Sequence, residues 1–210
     1  MNFNHKEALR YLRAKPGDEA ANILVDTVYL KMRNEVQARH VLKHYECVVD
    51  KDGVTLDCGI RFHSQALARH LQGCKELLLF GATLGMRVDA AIRRLTLMSV
   101  AEGAAAQAVG AALIKGYCDE LQAKLDTGTL KQKTRFSPGY GDWPLEEQRQ
   151  VFSLLDCGKA IGLTLTDSCM MAPSKSVTAV IGLSEEATSC LGGHKCAGCG
   201  NINCEFREVD

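Results

Sequence analysis

Apolar residues recur at three- and four-residue steps near the start of the chain. The pattern holds over residues 7–12 and again over residues 18–41, where Ala21, Ile23, Leu24, Val28, Met32 and Val36 form one stripe, and it predicts two helices. Over residues 45–56 it changes to Val and Thr around Asp50-Lys51-Asp52-Gly53, as expected for two short antiparallel strands and their turn. Ser64 is placed to cap a helix reaching about Leu71, with Gly73 available to end it. Leu77-Leu78-Leu79-Phe80 then reads as a buried strand. It runs into Gly81-Ala82-Thr83-Leu84-Gly85, which has neither the Lys-Ser/Thr pair nor the full glycine fingerprint of a phosphate loop, so packing is the expected reason for its glycines.

Residues 97–125 read as one helix. Ala101, Ala104, Ala105, Ala108 and Ala112 leave it a nearly flat face, expected to pack on a sheet, while Glu102, Gln107, Lys115, Asp119 and Glu120 exclude a membrane span. A polar linker (126–133) and a loop rich in glycine and aromatic residues (135–143) follow. Pro144 starts another helix, with Val151, Phe152, Leu154 and Leu155 facing inward and Gly158 as a natural stop. Two strands, 163–166 and 176–183, bracket the segment from Ser168 to Lys175. Strands grouped as hairpins, rather than alternating with helices, predict an α+β fold: a largely antiparallel, twisted sheet with packed helices and a small Cys-rich C-terminal tail. Residues 1–184 are expected to form the main domain and residues 185–210 the tail.

Composition narrows the function. Of 210 residues 46% are hydrophobic and 24% charged, a globular balance. The 25 Lys and Arg cancel the 25 Asp and Glu, so no net field draws the protein to nucleic acid or an anionic membrane. The charged first fifteen residues lack a secretory apolar stretch, and a cytoplasmic location, with thiols reduced or ligating metal, is expected. Cys47, Cys58, Cys74, Cys118, Cys157 and Cys169 are scattered singly and read as core filling. His40 and His44, at helical spacing, lack the glutamate of a zinc hydrolase motif and read as a solvated face.

The segment Arg135-Phe136-Ser137-Pro138-Gly139-Tyr140-Gly141-Asp142-Trp143-Pro144 combines a guanidinium, two prolines, two glycines and three aromatic rings. Prolines limit the entropy lost on ordering, and glycines let a flat ligand approach the backbone. Arg135 is suited to clamp a carboxylate, and the Tyr140 or Trp143 ring to face a purine or a cation. S-adenosylmethionine offers all three groups. A proline-stiffened turn whose Trp143 and Tyr140 plug the core is the alternative.

This segment resembles the Arg-x-x-Pro-Gly-Tyr signature of the activation (reactivation) domain of vitamin B12-dependent methionine synthase. Leu163-Thr164-Leu165-Thr166-Asp167-Ser168, continuing through Met171-Ala172-Pro173 to Ser176-Val177, resembles that family's second block, while residues 7–12 and 77–85 resemble the start of its stand-alone members. The resemblance implies a site for S-adenosylmethionine formed by Arg135, Ser137, Pro138, Gly139 and Tyr140, with Arg135 on the methionine carboxylate. It further implies an accessory component, without a catalytic acid or base, that supports reductive methylation of cobalamin carried by a methionine synthase or related corrinoid protein. An electron donor such as a flavodoxin or ferredoxin would supply the reduction. Two departures stand out: Lys115 occupies the place where members tend to carry a helix glutamate, and a tyrosine beyond the second block has no counterpart.

The tail reads Cys190-x5-Cys196-x2-Cys199-x4-Cys204 with Gly192, Gly193, Gly198 and Gly200 between, and His194 as a spare ligand. Four cysteines so spaced fit zinc or an iron-sulfur cluster, and the spacing does not choose between them. The alternative function is an iron-sulfur or zinc redox or interaction module that docks on a corrinoid protein without binding S-adenosylmethionine. An ordinary methyltransferase ranks last, because the turn at Gly81 to Gly85 lacks an acidic partner and strand-helix alternation.

Overall fold

The computed structural model describes residues 3–185. In chain order it has α1 (His5–Leu12), α2 (Glu19–Met32), a 3-10 turn (Arg33–Glu35), β1 (Arg39–Val49), β2 (Gly53–Leu56), β3 (Arg61–His63), α3 (Gln65–His70), β4 (Glu76–Thr83), α4 (Met86–Met98) and α5 (Val100–Ala123). There follow β5 (Lys131–Gln132), a 3-10 turn (Leu145–Glu147), α6 (Gln148–Leu155), α7 (Cys157–Ile161), β6 (Thr164–Leu165), β7 (Met171–Ala172) and β8 (Ser176–Ser184). Six strands form a sheet in the order β3-β2-β1-β4-β8-β5, and β6 pairs with β7. The registers of β1 with β2, β2 with β3 and β5 with β8 are antiparallel, in agreement with the expected α+β class.

Two compact units are interleaved along the chain. One comprises Met1–Lys43, Phe80–Leu125 and Gln148–Thr178, the other His44–Leu79, Asp126–Glu147 and Ala179–Asp210, in each case over the described residues.

The first unit is mainly helical. Asn4 and Asp18 cap α1 and α2 by accepting the Glu7 and Ala21 amides, each satisfying an amide that the helix itself leaves orphaned. The second helix stops at Met32 rather than near Val41; a 3-10 turn follows it, and β1 begins at Arg39. His40 and His44 therefore lie on a strand, exposed as expected, and His40 Nδ1 meets the Tyr117 hydroxyl at 3.0 Å. The long helix is likewise shorter than predicted. Ser99 adopts extended backbone and caps α5 at the Glu102 amide, so Leu97 and Met98 belong to α4.

The small-residue face of α5 permits close approach, and α5 packs on α4, α1 and α2. Gly103 shows how close: a methyl group built there would lie 2.8 Å from the Thr96 Cα. Gly81 is also a packing glycine, its open side facing Val41, Leu155 and Cys157. After α6, Asp156 turns left-handed with φ 51° and separates α7, which Gly162 ends with φ 69°; Gly158 is inside α7 and stops nothing.

In the second unit the Asp50 carboxylate closes the β1–β2 turn by accepting the Asp52 and Gly53 amides and a forked pair of bonds from Arg61, both 2.8 Å. That guanidinium holds the Asp50 carboxyl far below the usual carboxylate range. The polar linker contains β5, whose Lys131 and Gln132 pair with Ser184 and Leu183 of β8. The six single cysteines divide five to one: Cys47, Cys74, Cys118, Cys157 and Cys169 are buried, but Cys58 is exposed at a turn and fills no core. Burial pushes the Cys47 and Cys157 thiols up to about 12, which leaves them inert at neutral pH.

Candidate functional site

Two antiparallel backbone bonds between Phe136 and Val180 dock the start of the glycine- and aromatic-rich segment on β8. Just upstream, His70 Nε2 donates to the Thr134 carbonyl at 2.8 Å. Burial pushes the His70 pKa below its ordinary value, and neighbouring Lys133 acts in the same direction; the Thr134 bond opposes them without prevailing. His70 is thus neutral at pH 7, and its ring sits 5.0 Å from that of Phe136.

Past Phe136 the chain leaves the sheet and must satisfy its own amides. It does so by turning on itself. Tyr140 N donates to Ser137 O at 3.2 Å, Gly139 N to Trp143 O at 2.9 Å and Trp143 N to Tyr140 O at 3.0 Å. These bends need φ of +91° at Gly139 and +58° at Gly141, values that side-chain-bearing residues seldom adopt. Pro138 is buried and stiffens the centre of the turn.

The aromatic rings have opposite fates. Trp143 is 1% exposed: its ring meets Phe62 edge-on at 5.2 Å and stacks against Phe136, and its indole N–H donates to Glu147 at 2.6 Å. Trp143 is therefore core, and the reading in which it faces a purine is corrected. Its indole sits where the loop returns to the protein body, so burial outweighs any gain from leaving the ring in water. Tyr140 is 64% exposed, its ring tilted by 56° to that of Phe136 at 6.1 Å. Each alternative for this loop thus holds for one residue: Trp143 plugs the core, and Tyr140 is presented to solvent.

The predicted site residues are brought together over six positions of one turn. Arg135 and Ser137 are half-buried, Pro138 is buried, and Gly139 and Tyr140 are exposed. A half-buried guanidinium, an open glycine backbone and an exposed ring make a surface that fits a carboxylate, a flat base and a cation.

Sequence reasoning does not find the residues that hold this turn. Asp142 accepts from the Ser64 hydroxyl at 2.5 Å and from the Gln65 and Ala66 amides at 3.0 and 2.9 Å. The Ser64 bond, together with those amides, holds its carboxyl below the usual range. Glu147, which receives the Trp143 indole, also accepts the His63 amide at 3.2 Å. Asp142 is visible inside the motif, but its partners lie more than seventy positions earlier, so nothing local discloses its role.

Lys115 is half-buried in the helical unit, between Glu7 at 3.4 Å and Asp119 at 3.3 Å. Burial lowers its pKa, but Asp119 and then Glu7 raise it, and the carboxylates prevail. The lysine is therefore a compensated charge. Cys190, Cys196, Cys199 and Cys204 lie outside the described residues, and among the described residues no group of three or more His, Cys, Asp or Glu is placed to hold a metal. No described helix is long and apolar enough to cross a membrane. A groove of about 400 Å³ is lined by Asp89, Ile92, Arg93, Thr96, Leu97, Gln107 and Ser174, none of which belongs to the turn.

Residues 115–192, which contain both sequence blocks, match the family described as vitamin B12 dependent methionine synthase, activation domain. No curated protein matches the chain in sequence. Among solved structures, the MetH reactivation domain bound to AdoHcy superposes with a TM-score of 0.63 and 17% identity, over 86% of this chain and 70% of that one. In sequence over residues 115–192, and in fold over most of its length, the chain matches the activation domain of vitamin B12-dependent methionine synthase.

Proposed function

We propose that the chain binds S-adenosylmethionine at the Arg135–Tyr140 turn and supports reductive methylation of cobalamin carried by a methionine synthase or related corrinoid protein. The observation that carries this reading is the division of the loop: Trp143 is sunk as an anchor while Tyr140, Gly139 and a half-buried Arg135 remain on one turn. The family match over the same segment and the solved relative with AdoHcy point the same way. The Arg135 guanidinium takes the amino-acid carboxylate, the Gly139 backbone lets the nucleoside lie close, and the Tyr140 face meets a cationic or flat group. Reduced cobalamin supplies the nucleophile for the methyl group. What this chain contributes is position: it holds the donor so that transfer is favoured over diffusion, and no acid or base is required of it.

The alternative, a docking module without donor binding, draws its motive from Lys115 standing in place of a helix glutamate; Lys115 is paired with Glu7 and Asp119. The tail cysteines we assign to zinc or an iron-sulfur cluster on their spacing alone. A cytoplasmic setting and a flavodoxin or ferredoxin donor complete the proposal. Its test is methyl transfer from labelled S-adenosylmethionine to a cob(II)alamin-loaded corrinoid partner under reducing conditions. Label should appear on the corrinoid only when this chain is present, and equal labelling without it contradicts the reading. A visible absorption spectrum of the anaerobic protein separates the two metals: broad visible bands mark a cluster, and a featureless spectrum eliminates it.

A further inference from the structure

The Arg135–Tyr140 turn is docked at its entry by the two Phe136–Val180 bonds to β8. Three backbone bonds over residues 137–143 close it on itself. A second anchor lies where the chain leaves it. Asp142 is bonded at once to the hydroxyl of Ser64 and to the amides of Gln65 and Ala66, at the corner where β3 gives way to α3. Gly141 makes the approach feasible, since a Cβ there would lie 2.6 Å from that of Ala66. Five residues on, Glu147 ties the same corner through His63 N and holds the Trp143 indole.

We propose that Asp142 is a positioning residue: without touching the ligand, it clasps the exit of the turn to the β3–α3 corner and so sets where Tyr140 and Gly139 stand. A residue that only capped α3 would have no need of this arrangement. Ser64 already accepts the Leu67 amide at 2.9 Å as an ordinary cap, and Asp142 comes from a distant part of the chain to accept the two amides preceding it. Three bonds to one carboxylate orient it in two directions, so Tyr140, two residues upstream, inherits a defined place. The effect on affinity rests on the reading of the turn as a donor site; the clasp itself does not.

The test compares the full-length chain with Asp142→Asn and Ser64→Ala, by amide hydrogen exchange and by titration with S-adenosylhomocysteine. Asp142→Asn keeps the side chain's shape and weakens all three bonds, whereas Ser64→Ala removes the cap but leaves the two amide bonds to Asp142. In Asp142→Asn, exchange at the Tyr140 and Trp143 amides should quicken about tenfold or more while α5 amides stay protected, and affinity should fall about tenfold. In Ser64→Ala, affinity should stay within about twofold of wild type even where melting is lowered as much. Unchanged exchange at Tyr140 and Trp143 in Asp142→Asn overturns the clasp, and so does an equal affinity loss in the two variants. If the wild-type chain binds no ligand yet Asp142→Asn loosens those amides, the clasp stands and it is the proposed function that falls.

Discussion

Tyr140 and Trp143 are three positions apart, and the same solvent-excluding corner separates them. Trp143, with its ring against Phe62 and its N–H on Glu147, contributes both apolar burial and a satisfied donor. Replacing it with Phe shrinks the ring and leaves a Glu147 oxygen without its indole partner, and should cost roughly 2–4 kcal/mol of stability. Tyr140→Ala removes an exposed ring and should leave melting within about a degree of wild type. Thermal denaturation checks both, and equal losses in the two variants would contradict the assignment of Trp143 as anchor and Tyr140 as surface. The tail of the motif is the harder part to read from sequence. Arg135, Gly139 and Tyr140 stand out as candidates by residue type and spacing, but an aromatic residue in a loop carries no mark of whether it faces ligand or core. Trp143 is therefore ambiguous in sequence, and Asp142 and Glu147 are silent there, because their partners Ser64, Gln65, Ala66 and His63 are remote along the chain.

At the scale of the elements, periodicity finds β4, β8, α3 and the β1–β2 hairpin close to where they lie. It misjudges ends. The stripe of α2 runs on past Met32 because Val36 happens to fall a helical step beyond it, and the break at Ser99 is hidden because serine inside an alanine-rich run is only a weak helix signal. The flat face of α5 is recognisable, and α4 takes the part of it around Gly103. Two glycines on this helix make the point testable. A methyl at Gly103 meets the Thr96 Cα at 2.8 Å, backbone that cannot swing away, while a methyl at Gly110 meets only the flexible Lys175 side chain, at 2.9 Å. Gly103→Ala should therefore lose about 1–3 kcal/mol by denaturant unfolding despite better helix propensity, and Gly110→Ala should come within about 1 kcal/mol of wild type. The reverse ranking would contradict the α4–α5 packing.

Over the whole molecule, the fold class is legible because strands fall in hairpin groups, and the pairings described are antiparallel as that grouping requires. The interleaving of the two units is not legible, since β1, β4 and β8 each carry residues of both and no composition shift marks the crossings. The proposed site residues lie on a single turn of the second unit, so a short motif contains all of them. The central claim is that this turn binds S-adenosylmethionine through Arg135. Calorimetric titration of the full-length chain measures it directly: the wild type should bind in a one-to-one ratio, and Arg135→Ala should bind roughly 10- to 100-fold more weakly through loss of a charge-assisted carboxylate contact. A wild type that binds nothing, or an Arg135→Ala chain that binds equally well, would contradict it.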